Sequence, residues 1–179
     1  MKKILACALF VGAVAPLSAT AGTFTLAQFS GPGIGVIPWG PGSPERAATP
    51  TTPAIPAAPE RNVVRGVPPA NEVWRVGNIS ASVKSDGTIS VDAAGLLVAS
   101  GNQIGTNGGG SPFQASLNCA NEPLVFRTTT DFYLSDASGK LVIRGKLSDL
   151  PMPSVCQNPV LLIGGFGHGG WVAAANPLP

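Results

Sequence analysis

The sequence predicts an all-β fold: a single antiparallel β-sandwich of immunoglobulin-like type, with a small barrel as the alternative. Three observations predict it. From about residue 71 onward, apolar and polar residues alternate with the period of two that half-buried strands require. Turn signals break these runs into roughly eight short segments, the density expected of a sandwich or small barrel. No stretch carries strong amphipathic helical periodicity.

The elements follow in order. Val73 to Gly77 opens the domain, with Trp74 at the core margin. Ile79, Ala81 and Val83 share one face, and Ser80, Ser82 and Lys84 the other. Ser85-Asp86-Gly87-Thr88 reads as a hairpin turn, because Asp-Gly supplies the positive φ that a tight turn needs. Ile89 and Val91 resume the inward face, followed by Leu96 to Val98, and residues 101–111 form a Gly- and Asn-rich loop. Phe113, Ala115, Leu117 and Cys119 then alternate with Gln114, Ser116 and Asn118, which puts the Cys119 sulfur on the core side. Leu124 to Tyr133 supplies a further strand or two, with Arg127 facing out. Leu141, Ile143 and Leu147 point inward against Lys140, Arg144 and Lys146. Val160 to Ile163 is apolar at consecutive positions, which marks a central strand covered on both faces. Trp171 to Ala175 is the last strand. Val83 to Val91 and Leu134 to Ile143 look faintly alike, each with Ser-Asp ahead of a turn glycine, and two such hairpins would suit equivalent corners.

The first residues read as an export leader. Met1-Lys2-Lys3 is a basic start, Ile4 to Leu17 an apolar run, and Ala19-Thr20-Ala21 a small-x-small cleavage site. The apolar run falls short of the ~20 residues that span a bilayer, and Pro16 interrupts it. Residues 1–21 are therefore expected to leave, with no transmembrane segment after cleavage. The chain has eleven Lys and Arg against nine Asp and Glu. Lys2 and Lys3 lie in the leader, so nine cations face nine anions beyond it. A near-neutral chain without a basic stripe is not built for nucleic acid. Cys7 leaves with the leader, and Cys119 and Cys156 remain. In a periplasmic or extracellular setting they are expected to pair.

Residues 22–70 read as a Gly/Pro-rich disordered or polyproline II stalk ahead of a folded domain spanning 71–179. Pro38, Pro41, Pro44, Pro50, Pro53, Pro56 and Pro59 are separated by multiples of three. They would line one edge of a polyproline II helix, a rod of roughly 65 Å at ~3.1 Å per residue. A semi-rigid spacer is the plain reading, and a proline-rich ligand for an aromatic groove the sharper one. Arg65 reads as solvated, with an acidic envelope polymer as its alternative contact.

The residues offer little chemistry. No catalytic residue, cofactor site or metal site is assigned. The only histidine, His168, sits between glycines, a mobile base rather than a preorganised one. Asp131, Asp149 and His168 are the residues a small secreted hydrolase would use if the fold brought them together. Asp86, Asp136 and Ser138 offer turn oxygens to a weak calcium site, as in a calcium-stabilised adhesin, although such residues usually bond their own backbone.

Residues 150–156 (Leu-Pro-Met-Pro-Ser-Val-Cys), then Asn158 to Ile163, then Gly170-Trp-Val-Ala-Ala174, form a sequence signature. It resembles a recurring pattern of secreted bacterial β-domains: Leu-Pro, Cys, Pro-Val, an apolar strand, then Gly-x-Trp-x-Ala. The resemblance covers roughly residues 66 to 175. It implies the all-β fold and the disulfide, and it carries no known activity. The reading that results is an exported, non-enzymatic, envelope-associated binding or structural module. Its partner would be an envelope polymer or another secreted protein, met at an apolar patch near Trp171 or Trp74.

Overall fold

The computed structural model describes residues 23–36, 62–123, 125–148, 151–165, 170–175 and 177. The described residues form antiparallel β-sheets and one short 3-10 turn at Gly101–Gln103. Among them no helix is long and apolar enough to cross a membrane. The expected leader, 1–21, lies outside the described residues, as do 37–61 of the proline-rich segment.

A four-stranded sheet runs in the order β1 (Thr25–Pro32), β4 (Asn78–Lys84), β5 (Thr88–Ala94), β10 (Leu141–Lys146). It follows the alternation in the sequence closely. Ile79, Ala81, Val83, Ile89, Val91, Ala93, Leu141 and Ile143 are buried, while Ser80, Lys84, Thr88, Asp92 and Arg144 are exposed. The β4–β5 hairpin closes as the Asp-Gly signal requires, with Gly87 at φ +84° and Asp86 Oδ1 accepting from the Thr88 N–H at 2.9 Å.

The second sheet runs β2 (Ile34–Gly35), β12 (Gly170–Ala175), β11 (Val160–Gly165), β7 (Pro112–Asn118), β8 (Phe126–Thr128), with β9 (Tyr133–Leu134) also paired to β7. As expected, β11 is central, and Leu161, Leu162 and Ile163 are all fully buried. The facing sides of the two sheets share one core, in which Phe29, Val83, Val91, Ile143, Leu117, Leu161 and Ile163 have no exposed surface. Each large aliphatic contributes up to about 1.5–3 kcal/mol by burial. A separate pair, β3 (Trp74–Arg75) with β6 (Leu97–Val98), closes one end.

The sheets also meet along both flanks. On one side β1 passes into β2 through Gly33, and Phe29 bridges to Pro177. On the other, Leu147 bridges to Thr129 and the Ser148 N–H reaches the Thr128 carbonyl at 2.8 Å. Tyr133 Oη, set over Gly145, donates to the Arg144 carbonyl at 2.9 Å. Both outer strands of the four-stranded sheet are thereby partly guarded against pairing with another chain.

Cys119 and Cys156 are bonded, with Cα atoms 5.0 Å apart. Around them the Ala120 N–H donates to the Gln157 carbonyl, and Asn121 bonds both Val155 and Gln157.

Four expectations are corrected here. First, the fold takes in residues on both sides of the proline run that the sequence reading gave to the stalk. β1 pairs with β4 from Thr25 to Pro32 and buries Phe29, and Val36 exchanges hydrogen bonds with Val172 and Trp74. Glycines at 31, 33 and 35 made this stretch look irregular, yet Gly33 and Gly35 sit where a Cβ would strike Ile79 and the Trp74 backbone. Close backbone approach is what excludes a side chain there. Residues 62–70 lie against β12: the Trp171 N–H reaches the Pro68 carbonyl, and the Ala70 N–H reaches the Trp171 carbonyl. Second, Arg65 is not a solvated side chain. It donates to Asn118 Oδ1 at 2.8 Å and to the Asn158 carbonyl at 2.6 Å.

Third, Arg127 faces in, not out. The register sets it opposite Leu117, so its guanidinium enters the inner side of the edge strand and is 2% exposed. Its Nε and Nη2 donate to the Pro151 carbonyl, and Nη2 lies 2.9 Å from Glu122 Oε2. That ion pair is a charge contact without a well-aligned hydrogen bond, and Nη1 has no acceptor among the described residues. Fourth, Ser135-Asp136-Ala137-Ser138-Gly139 does not close a hairpin equivalent to β4–β5. It carries the chain from β9 in one sheet to β10 in the other.

Candidate functional site

Trp171 and Trp74 do not form an exposed patch: they are 1% and 5% exposed. Trp171 packs under residues 62–70 and donates from Nε1 to the Asn62 carbonyl. Trp74 instead forms the wall of a cleft. Its ring meets Phe113 edge to face, with centroids 5.7 Å apart and planes at 89°. Gly108, at φ +72°, lies against the other side of the indole, where a Cβ would come within 2.6 Å of Cη2.

The cleft has a volume of about 240 Å³, and Pro112, Val172, Ala70, Glu72 and the polar Asn71 and Ser111 are among the residues that line it with Trp74 and Phe113. Small-molecule sites usually run to ~300–1,000 Å³. This one has room for one or two side chains of a partner rather than a cofactor. Glu72 is the one carboxylate in its lining, and no described residue forms an ion pair with it. Trp74 Nε1 is buried and has no acceptor among the described residues. A buried donor left unmatched costs about 1–3 kcal/mol, so it calls for a reason.

An apolar strip continues from the cleft. Pro112 pairs with Leu134 across β7 and β9, and Leu134 is 66% exposed. Phe132, immediately before β9, is 53% exposed. The sequence hid this strip, because three apolar residues from two separate segments become neighbours only through the β7–β9 register.

Of the residues a hydrolase would use, Asp131 is exposed beside β9, and Asp149 and His168 lie outside the described residues. The Tyr133 phenol is pushed above its ordinary range by burial and then by the Asp131 charge. The calcium candidates sit in their own turns. Asp136 Oδ1 accepts from Ser138 N, Ser138 Oγ and Lys140 N, and these bonds hold its carboxyl below the usual range. Asp86 is lowered in the same way by the Thr88 backbone. Among the described residues, no three His, Cys, Asp or Glu side chains gather as a metal set would. The chain matches no protein-family model, no curated protein and no solved structure.

Proposed function

We propose that this is an exported, non-enzymatic binding module that grips an extended apolar segment of another secreted protein. On this reading the two sheets are the layers of a sandwich rather than a closed barrel. The observation that carries the function is the Trp74–Phe113 cleft running into the exposed Pro112–Leu134–Phe132 strip. Aromatic anchors in a small pocket with an apolar rim are the usual seat of binding energy in protein contacts. Glu72 is the one titratable side chain in the cleft lining, and acid–base hydrolysis usually uses two. The disulfide supports export.

The test pairs the wild-type chain, residues 22–179, with Phe132→Ser/Leu134→Ser, both exposed positions. Each is used to capture partners from culture medium and to sediment with isolated envelope polymer. Loss of one specific secreted protein in the double variant, with unchanged melting, supports the reading. Equal capture by both forms places the contact elsewhere. Retention by the polymer alone makes the ligand a polymer, and release of soluble fragments from it makes the protein a hydrolase.

A further inference from the structure

Resting on the reading of the cleft and strip as the contact site for a secreted protein, we propose that the segment gripped there is cationic as well as apolar. Lys or Arg side chains flank its apolar residues and are met by Glu72 and Asp131. The described carboxylates are Glu72, Asp86, Asp92, Glu122, Asp131 and Asp136. Four of them are met within the fold. Asp92 pairs with Arg144, and Glu122 with Arg127. Asp86 accepts from the Thr88 N–H, and Asp136 from Ser138 and the Lys140 N–H. Glu72 and Asp131 have neither an ion pair nor a side-chain hydrogen bond among the described residues. Both are exposed, and both border the contact surface: Glu72 lines the cleft, and Asp131 immediately precedes Phe132.

The described cations do not compensate them. Arg75, three residues after Glu72, makes no ion pair with it. Lys84, Lys140, Arg144 and Lys146 lie on or beside β4 and β10, in the four-stranded sheet. Among the described residues no Lys or Arg lines the cleft. The contact surface thus has an apolar middle and two uncompensated negative charges at its borders. Charges at the rim of an interface select the partner and speed encounter more than they add affinity. A Lys or Arg laid across such a surface keeps its aliphatic stem on apolar atoms and its charged head at the carboxylate. The cleft, with room for one or two side chains, takes the apolar residue between them. An acidic segment of the same hydrophobicity is turned away by like charge, which makes Glu72 and Asp131 the residues that set specificity.

The experiment screens a random peptide display library against the chain 22–179 and against two variants, Glu72→Gln/Asp131→Asn and Phe132→Ser/Leu134→Ser. All four positions are exposed, and each variant is checked for unchanged melting. The proposal expects the wild type to enrich apolar peptides that carry Lys or Arg. The Glu72→Gln/Asp131→Asn chain keeps the apolar preference and loses the basic one. A peptide selected on the wild type is then synthesised and its association rate measured. That rate falls about tenfold in the Glu72→Gln/Asp131→Asn chain at low salt, and the difference vanishes near about 1 M salt, because salt screens steering by rim charges. If the double substitution lowers melting, Glu72→Gln alone decides, with an effect of about threefold. Enriched apolar peptides without basic residues, or an association rate indifferent to the substitutions, overturn this inference and leave the functional reading standing. Basic peptides held equally well by the Phe132→Ser/Leu134→Ser chain reduce the contact to charge alone, and both readings fail. A library from which nothing is enriched removes the grip on an extended segment, and this inference with it.

Discussion

The two sheets use the same strand chemistry under different cover. The four-stranded sheet has one wet face, where Gln28, Ser80, Asp92 and Arg144 are exposed. The six-stranded sheet is covered on both. On its outer side Ser116 and Asn118 are 1% and 0% exposed, although each alternates with an inward apolar residue as the serines of β4 do. Residues 62–70 and the loop after Cys119 make the difference. Arg65 and the carbonyls of Glu122, Pro123 and Val125 all converge on Asn118. A polar residue on a covered face must find internal partners, whereas the same residue on a wet face needs none. Stability should therefore respond very differently to similar substitutions on the two sheets.

The largest loss is expected at the clasp that holds the cover in place. Reducing Cys119–Cys156, or changing both to Ala, frees a loop spanning 37 residues in sequence. In the chain-entropy picture that costs roughly 4 kcal/mol, an appreciable share of a stability of ~5–15 kcal/mol. Urea unfolding with and without reductant measures it. A change below about 1 kcal/mol would mean that the hydrogen bonds around Asn121 hold the loop closed without the bridge.

Next comes the hub. Asn118→Ala takes a donor from the Pro123 and Val125 carbonyls and one acceptor from Arg65, while the Glu122 carbonyl keeps the Val125 N–H. At about 1–3 kcal/mol for each buried group left unmatched, less what solvent recovers, the expected loss is about 3 kcal/mol. Arg65→Ala should cost less, about 1.5 kcal/mol, since its partners are partly reached by water. The two losses should fall short of additive, because they share one bond. Full additivity in a double-mutant cycle would deny that the strap and the loop act together.

This contrast also explains what the sequence could tell. The wet-faced sheet was legible nearly residue by residue, from Ile79 to Val91 and from Leu141 to Ile143, because alternation reports burial directly when one face meets water. So was β11, whose unbroken apolar run needs two covers. Arg127 and Arg65 were misread, and the cover over Asn118 was missed, because their burial depends on distant segments and nothing local marks an asparagine as a hub. The cleft was half legible. Trp74 was placed at the core margin, but its partner Phe113 and the strip through Leu134 depend on register across the β7–β9 pair. Residues 25–36 were given to the stalk because their glycines, which permit close packing here, look the same as glycines that break structure.

A smaller effect should appear in acid. The Asp86 and Asp136 carboxyls are held below the ordinary 3.8 by hydrogen bonds in their turns. A depressed folded pKa favours the native state above the unfolded value, and that contribution disappears as pH falls through the folded values. Stability should therefore decline below about pH 4, and less steeply in Asp136→Asn. Both carboxyls are exposed, so salt should blunt the decline. An Asp136→Asn chain that loses stability in acid as steeply as the wild type would assign the decline to other groups.

The smallest effect belongs on the wet face itself. Arg144 reaches both oxygens of Asp92 at 2.9 and 2.8 Å, and both side chains are 53% exposed. An exposed pair is worth about 0–1 kcal/mol, and here a single nitrogen, Nη2, serves both oxygens rather than a two-nitrogen fork. Asp92→Asn should therefore shift stability by less than about 0.5 kcal/mol, and Ser82→Ala by no more. The Arg144 guanidinium keeps its bonds to the Val91 and Ile143 carbonyls in either case. Urea midpoints at low and high salt decide the matter. A loss of 2 kcal/mol or more at either site would mean that this face, too, is covered, and the difference between the sheets would then need another cause.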